Sequence, residues 1–570
     1  MACWSCYSVL PSTIRATHLS STNESFSNSV TPPRYKMPAR EVLLLSCSLL
    51  SLVASCILWS PHKQAWMDEI FTWKEVSDPS LWHLYYAIQH GADGGMPVFY
   101  TTAWLWAKTF GSGVLTLRMY SCITMCGALL VTWRTLRRFY GMRATAFGVL
   151  AFWGTSGLLL NQNVEARFYG LFVLTVAVSV DVYTRLVMQP APKFRLLLLS
   201  FLSQAALVLT HILGVIYGGF ILLALIVSDA VRHRFRPRVY LAHAAGWLAL
   251  LVWIPAIRTS RAAGKPLVWI MMPTFKTLVA TYLFEDFEQW LGLLQRHSQE
   301  ATFQMVRHAT EWFILIPFAV IVLLGLRGLV ASQQRTGSPP RGALLLVAYL
   351  LLAMPVLLFV LSHLIVPVFV PRYLLPCGVG VAIILADFAD ARGADSQPSS
   401  RLVWGSIVLL LVICPVATVL ALPPLEVSRQ YLDVQRLDRA APPDIPVIAG
   451  WQEDFSKLMR FSHDPTRYYF LLDWPAAVAG PRGFVLDYHL MTAYRNSGYY
   501  AKNIRDSQAF LCTHPDFLVL DVEGHSWFDM TIRRMPQFEW KVIDAFETPE
   551  AKRTLIAVHR RGALGFCSQP

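Results

Sequence analysis

The chain is 570 residues long, 55% hydrophobic and only 15% charged, where soluble proteins carry about 25% charged residues. With a mean hydropathy of +0.43, this balance excludes an ordinary soluble domain and points to an integral membrane protein. The formal net charge of +13 does not argue for a nucleic-acid partner, because the basic residues sit in short loops between apolar runs, where they set orientation.

Residues 1–40 are rich in Ser, Thr, Asn and Pro and lack an apolar core. They read as a disordered cytoplasmic tail. Met37 stands just before the first span, leaving room for the native start to lie there. The first span runs from Glu41 to Trp59, and a polar stretch, Ser60 to Gly95, follows. The run Met96 to Phe110 is apolar but shorter than the ~20 residues of a comfortable crossing, so it reads as a juxtamembrane helix lying in the membrane surface. Further spans are expected at Leu117–Leu136, Ala144–Leu160, Ala166–Val187, Leu196–Leu209, Ile212–Val227, Val239–Ile257, Trp312–Val330, Ala343–Val366, Leu374–Phe388 and Leu402–Leu422. That makes about eleven by hydropathy.

Orientation follows from the basic residues. Arg137, Arg138 and Arg143, then Lys193 and Arg195, then Arg232, Arg234, Arg236 and Arg238, then Arg327, Arg335 and Arg341, then Arg392 and Arg401 fall in alternate loops. With a cytoplasmic N-terminus this obeys the positive-inside rule. It does so only if residues 96–110 do not cross and the run Leu196–Val227 is two helices broken near Thr210 and His211. The loops 60–116 and 258–309 and everything after Leu422 are then expected outside.

Residues 423–570 are not membrane-like. The segments 445–450, 467–473, 516–522, 540–546 and 554–560 read as strands, and 454–461 and 506–514 as helices between them. The pattern predicts a small extracytoplasmic α/β domain of about 130 residues. It contains neither GxGxxG nor a P-loop. Cys512 and Cys567 are the two cysteines of this polar region, and they pair if it lies in an oxidising compartment. The remaining cysteines read as packing residues or free thiols.

Four clusters carry candidate chemistry. Asp68 and Glu69, in "QAWMDEIFTW" (64–73), place adjacent carboxylates among aromatic residues that favour the membrane interface. On a helix they point about 100° apart, so one can take a proton while the other orients a substrate or a metal. The second cluster is "NQNVEARFYG" (161–170). Glu165 and Tyr169 are spaced to share a helix face, with Arg167 pointing away; an outer-mouth snorkelling pair is the bland alternative. His211, in a long apolar run, is either a packing histidine or an intramembrane functional group. Arg372, between Pro371 and Tyr373, either snorkels or holds an anionic phosphate bidentately.

These motifs occur in a telling order: "WMDEIFTW", "MPVFYTTAWLWAKTFGSGVLTLRMYS", "NVEARFYGLFVL", "THILGV" and "RYLLP". In that order the chain resembles the C-type membrane glycosyltransferases (GT-C), in the bacterial branch related to protein O-mannosyltransferases and to lipid A aminoarabinose and galacturonic acid transferases. The resemblance covers residues 41 to about 390. It departs from the pattern where relatives carry paired prolines and this chain has Met96–Pro97. It implies a transmembrane unit over 41–422 in the inner membrane and transfer of a sugar from a polyprenyl-phosphate donor to a cell-envelope acceptor. Asp68, with Glu69, matches the position of the usual base or metal-contacting residue.

Chemistry of the residues agrees. A phosphate leaving group needs charge stabilisation more than an acid, which Arg372 supplies, with Tyr373, His211, Glu165 and Arg167 as further donor-binding candidates. Asp68 is placed to take the acceptor proton, and a single displacement inverts the anomeric carbon. A divalent ion bridging Asp68 or Glu165 to the phosphate is left open. The competing class is a transporter or flippase of lipid-linked sugars. Paired repeats with matching broken helices would favour it, and the sequence shows no such symmetry.

Overall fold

The computed structural model describes residues 37–154, 156–263, 270–282, 339–393, 401, 404–409, 411–412, 432–480, 484–524, 527–547 and 551–568. Among the described residues, six helices are long and apolar enough to cross a membrane: Ala39–Trp59 (α1), Val114–Leu136, Tyr169–Met188, Pro237–Ser260, Pro340–Leu364 and Pro371–Asp390. A seventh candidate is a pair of helices, Met142–Trp153 and Gly157–Asn163, bent by 73°. The run expected to break near Thr210 and His211 does so, giving Phe194–Val208 and Gly214–Ala230, of 15 and 17 residues. The expected span Trp312–Val330, more than half of Leu402–Leu422, most of the loop 258–309 and the tail 1–36 lie outside the described residues.

Between α1 and the second long helix lie three short ones. Helix α2 (Met67–Val76) starts after an extended Trp66 and carries Asp68 and Glu69 in its first turn and Lys74 in its last, charges that suit the helix dipole at both ends. Helix α3 (Leu81–Gln89) is capped by Ser80, whose hydroxyl accepts from the His83 amide at 3.3 Å. Helix α4 (Pro97–Phe110) begins with proline at N1 and stops at Gly111, whose φ of 92° suits glycine. At 14 residues, α4 is the short helix expected to lie along the surface.

Helix α5 (Val114–Leu136), α6 (Met142–Trp153), α7 (Gly157–Asn163) and α8 (Tyr169–Met188) follow. The approach of α8 to α5 is close: a Cβ on Gly170 would lie 2.4 Å from the Ser121 carbonyl oxygen. Only glycine fits there. The Ser121 hydroxyl then donates to the Arg167 carbonyl at 2.9 Å. The non-helical link between α7 and α8 is therefore pinned to α5. Glu165 lies in that link, so the expectation that it shares a helix face with Tyr169 is corrected: the helix begins only at Tyr169.

The C-terminal region forms one six-stranded sheet, ordered β3-β2-β1-β4-β6-β5. The strands are β1 (Val447–Ala449), β2 (Tyr468–Leu472), β3 (Ile504–Asp506), β4 (Asp516–Val522), β5 (Phe538–Glu547) and β6 (Lys552–Arg560). β1 to β4 pair in parallel, and β6 and β5 add antiparallel. All five expected strands are present; β3 is an addition. Cys512 and Cys567 are disulfide-bonded.

Helix α2 joins the two parts. Phe71 enters the buried cluster of the sheet region and meets the Tyr494 ring at 5.3 Å. The Tyr499 hydroxyl donates to Asp78 at 2.7 Å, and His83 Nε2 donates to the Ser497 carbonyl at 2.8 Å. The C-terminal domain is thus fastened onto the segment that carries the acid pair.

Candidate active site

The two adjacent carboxylates part company. Asp68 remains accessible, its side chain 20% exposed, with Arg167 Nη2 at 3.8 Å. Arg167 Nη1 also donates to the Asp68 carbonyl (3.2 Å), to Thr72 Oγ1 (3.0 Å) and to Asp93 (3.2 Å). Glu69 is buried, and both its oxygens accept from Arg118, at 2.8 and 2.7 Å. It also accepts from the Ala166 amide at 2.9 Å. Burial pushes the Glu69 carboxyl up, but Arg118 outweighs it and holds the group below the usual carboxylate range. Arg118 completes its bonds on the Ser60 and Lys63 carbonyls. Glu69 therefore has no oxygen facing open space, and its geometry is that of a residue holding the loop together.

Glu165 is likewise engaged. Lys63 Nζ reaches its carboxylate at 2.7 Å and the Asn161 side chain at 2.6 Å. Asp68 and Glu165, the two candidate metal ligands, each have a cation beside them, and among the described residues no group of three or more His, Cys, Asp or Glu is placed to hold a metal ion. This donor set does not fit a resident metal.

On the far side of Asp68 stands an aromatic wall. The Arg372 guanidinium lies 5.0 Å from the Trp66 ring centre and 6.0 Å from that of Tyr169, within cation–π range. Trp66 stands two residues before Asp68 in the chain. Tyr373 stacks on Tyr169 at 6.3 Å. His211 is packed among Phe168, Phe172 and Tyr373, at 4.9, 4.7 and 4.8 Å, and its Nδ1 accepts from the Leu213 amide at 3.2 Å. The structure thus brings together Asp68, Arg167, Arg372, Tyr373 and His211, while Glu69 and Glu165 sit behind them as ion pairs.

Further buried polar groups follow from Arg167 through Asp93. Asp93 accepts a short hydrogen bond from the Tyr100 hydroxyl. Glu75, fully buried, accepts from the Tyr494 hydroxyl of the C-terminal domain at 3.1 Å. Burial, and then the neighbouring Asp93, push its carboxyl well above the usual range. The motif reading missed Asp93, Glu75, Lys63 and Arg118. A signal existed for Arg118: an arginine within an apolar span demands a partner.

The arrangement offers a carboxylate open to solvent, two guanidinium groups and a flat aromatic surface. That combination can accept a proton and neutralise a phosphate in one place. No protein-family model and no curated protein matches the sequence. Solved structures do. A crystal structure of ArnT from Cupriavidus metallidurans in the apo state aligns with a TM-score of 0.56 at 12% identity, covering 93% of this chain and 98% of that one. A second, of the same protein bound to undecaprenyl phosphate, aligns with a TM-score of 0.54 at 13% identity, covering 93% and 99%. Identities this low speak to fold, and at that level the resemblance carried by the motifs is shown: the chain has the fold of the C-type membrane glycosyltransferases.

Proposed function

We propose that the protein is a glycosyltransferase that moves a sugar from a polyprenyl phosphate to an extracytoplasmic acceptor of the cell envelope. The observation that carries this reading is that Arg372, at the start of the helix Pro371–Asp390, lies against Tyr169 and against Trp66, the residue just before α2 and two positions from Asp68. In the proposed reaction the acceptor hydroxyl attacks the anomeric carbon. Asp68 takes its proton, and the bond to the phosphate breaks with inversion. Arg372 balances the charge left on the departing lipid phosphate. Arg167 holds Asp68 in place, and Tyr373 and His211 shape the sugar and phosphate side. Glu69 takes a positioning part through Arg118, and Glu165 through Lys63. No step is routed through a metal.

The neighbour bound to undecaprenyl phosphate supports a polyprenyl-phosphate partner. The alternation of basic loops supports an extracytoplasmic site in an inner-membrane protein of eleven spans. The Cys512–Cys567 bond supports an outer C-terminal domain, taken as 423–570 beside a transmembrane unit 41–422. The test is incubation of purified protein with radiolabelled polyprenyl-phosphate sugars and envelope extracts, followed by mass spectrometry of the product. Label moving from the lipid to an acceptor supports the proposal. Movement of intact donor across the bilayer without any glycosylated product would assign the fold to transport instead.

A further inference from the structure

A second cleft lies on a different face of α2. Asp68 and Thr72, one helical turn apart, look toward Arg167; Glu69 and Trp73, one position on, look elsewhere. There Ile70 and Trp73 of α2, Val114 and Leu117 at one end of α5, and Arg460 and Phe461 of the C-terminal domain line a shallow open cleft, about 270 Å³ counting the solvent at its mouth and with room for about one water inside. Its walls are apolar except for Glu69, Ser112 and Arg460. Glu69 is spoken for, both its oxygens being on Arg118.

Arg460 is different. Its guanidinium lies 4.0 Å from the centre of the Trp73 ring and 5.7 Å from that of Phe461. Among the described residues no carboxylate pairs with it. Burial pulls its pKa below the ordinary arginine value, as expected for a cation partly stripped of water without an anion in exchange. Cation–π contact offsets part of that cost, and an anion would offset the rest. The cleft ends on Val114, the first residue of a membrane-length helix. Phe461 is 38% exposed, and Leu115, next to Val114 in the chain, 45% exposed, which suits contact with acyl chains.

We propose that the headgroup of an anionic phospholipid caps the mouth of this cleft, with the phosphate on Arg460 and the chains along Phe461 and α5. The site joins the C-terminal domain to the bilayer and is separate from the one at Asp68. A bulk phospholipid is favoured over the polyprenyl donor because the cleft lies on a different face of α2 from Asp68.

Lipid binding tests this without any glycosyl transfer, so its failure would not touch the proposed reaction. Purified full-length protein in detergent is titrated with phosphatidylglycerol, phosphatidylcholine or polyprenyl phosphate, and bound lipid is counted by native mass spectrometry. Arg460→Gln should bind phosphatidylglycerol about ten- to hundredfold more weakly, the loss of a hydrogen-bonded charged contact. Arg460→Lys should recover part of that affinity, and phosphatidylcholine and polyprenyl phosphate should bind both proteins alike. Equal phosphatidylglycerol binding by wild type and Arg460→Gln would overturn the proposal. So would a loss confined to polyprenyl phosphate, which would assign the cleft to the donor.

Discussion

Replacing Glu69 with Gln separates a structural from a catalytic reading of the acid pair. The substitution keeps the shape of the side chain and removes its charge. Arg118 is then left fully buried with its two carboxylate contacts weakened and only the Ser60 and Lys63 carbonyls in support. Breaking one side of a buried ion pair costs about 3–5 kcal/mol, because the surviving charge stays desolvated. That is roughly two to three and a half powers of ten in the folding equilibrium. The assay is thermal unfolding of the detergent-solubilised protein, followed together with activity per folded molecule at low temperature. Glu69→Gln should unfold far earlier than wild type while its folded fraction keeps most of its activity. The double variant Glu69→Gln/Arg118→Gln should lose less stability than the two single changes added together. A Glu69→Gln protein as stable as wild type but inactive would refute the structural assignment and return Glu69 to catalysis.

Three further outcomes are expected. His83 is held above its ordinary value by its bond to Asp78, whose own carboxyl is lowered by that partner and others against the pull of burial. The imidazolium contribution is therefore fully present below the ordinary histidine value and lost as pH rises through the raised one; that of Asp78 fades only in acid. Hydrogen-exchange protection over residues 494–500, taken relative to the intrinsic amide rate at each pH, should fall on the alkaline side in wild type and stay flat in His83→Gln; identical protection profiles would contradict the clamp. Cys512→Ser opens a bridge between residues 55 apart in sequence, and the chain-entropy relation puts the loss at about 4 kcal/mol; an unchanged unfolding midpoint of the C-terminal domain would show that the bond contributes nothing. Arg372→Gln should raise KM for the polyprenyl-phosphate donor about ten- to hundredfold, and an unaltered KM would remove it from the phosphate.

Much of the architecture is legible in the residues. Long apolar runs give the spans, and β-branched, alternating segments give five of the six strands. The sixth, Ile504–Asp506, is three residues with two charges; its pairing with β2 creates it, not its composition. The site is legible in part. A DE pair after the first span marks the location, yet nothing local says which carboxylate stays free. That depends on Arg118, 49 positions away, reaching Glu69. The i, i+4 spacing of Glu165 and Tyr169 misleads because the chain is not helical between them. Asp93 and Tyr100 join the site through turns whose course follows from tertiary packing, and Glu75 enters because the C-terminal domain sets Tyr494 against it.

The central claim is that Asp68 takes the proton of the acceptor. Single-turnover transfer from a radiolabelled polyprenyl-phosphate sugar by Asp68→Asn, with donor binding measured in parallel, tests it most directly. The variant should bind donor as wild type does and leave the label on the lipid; transfer at the wild-type rate would contradict the account.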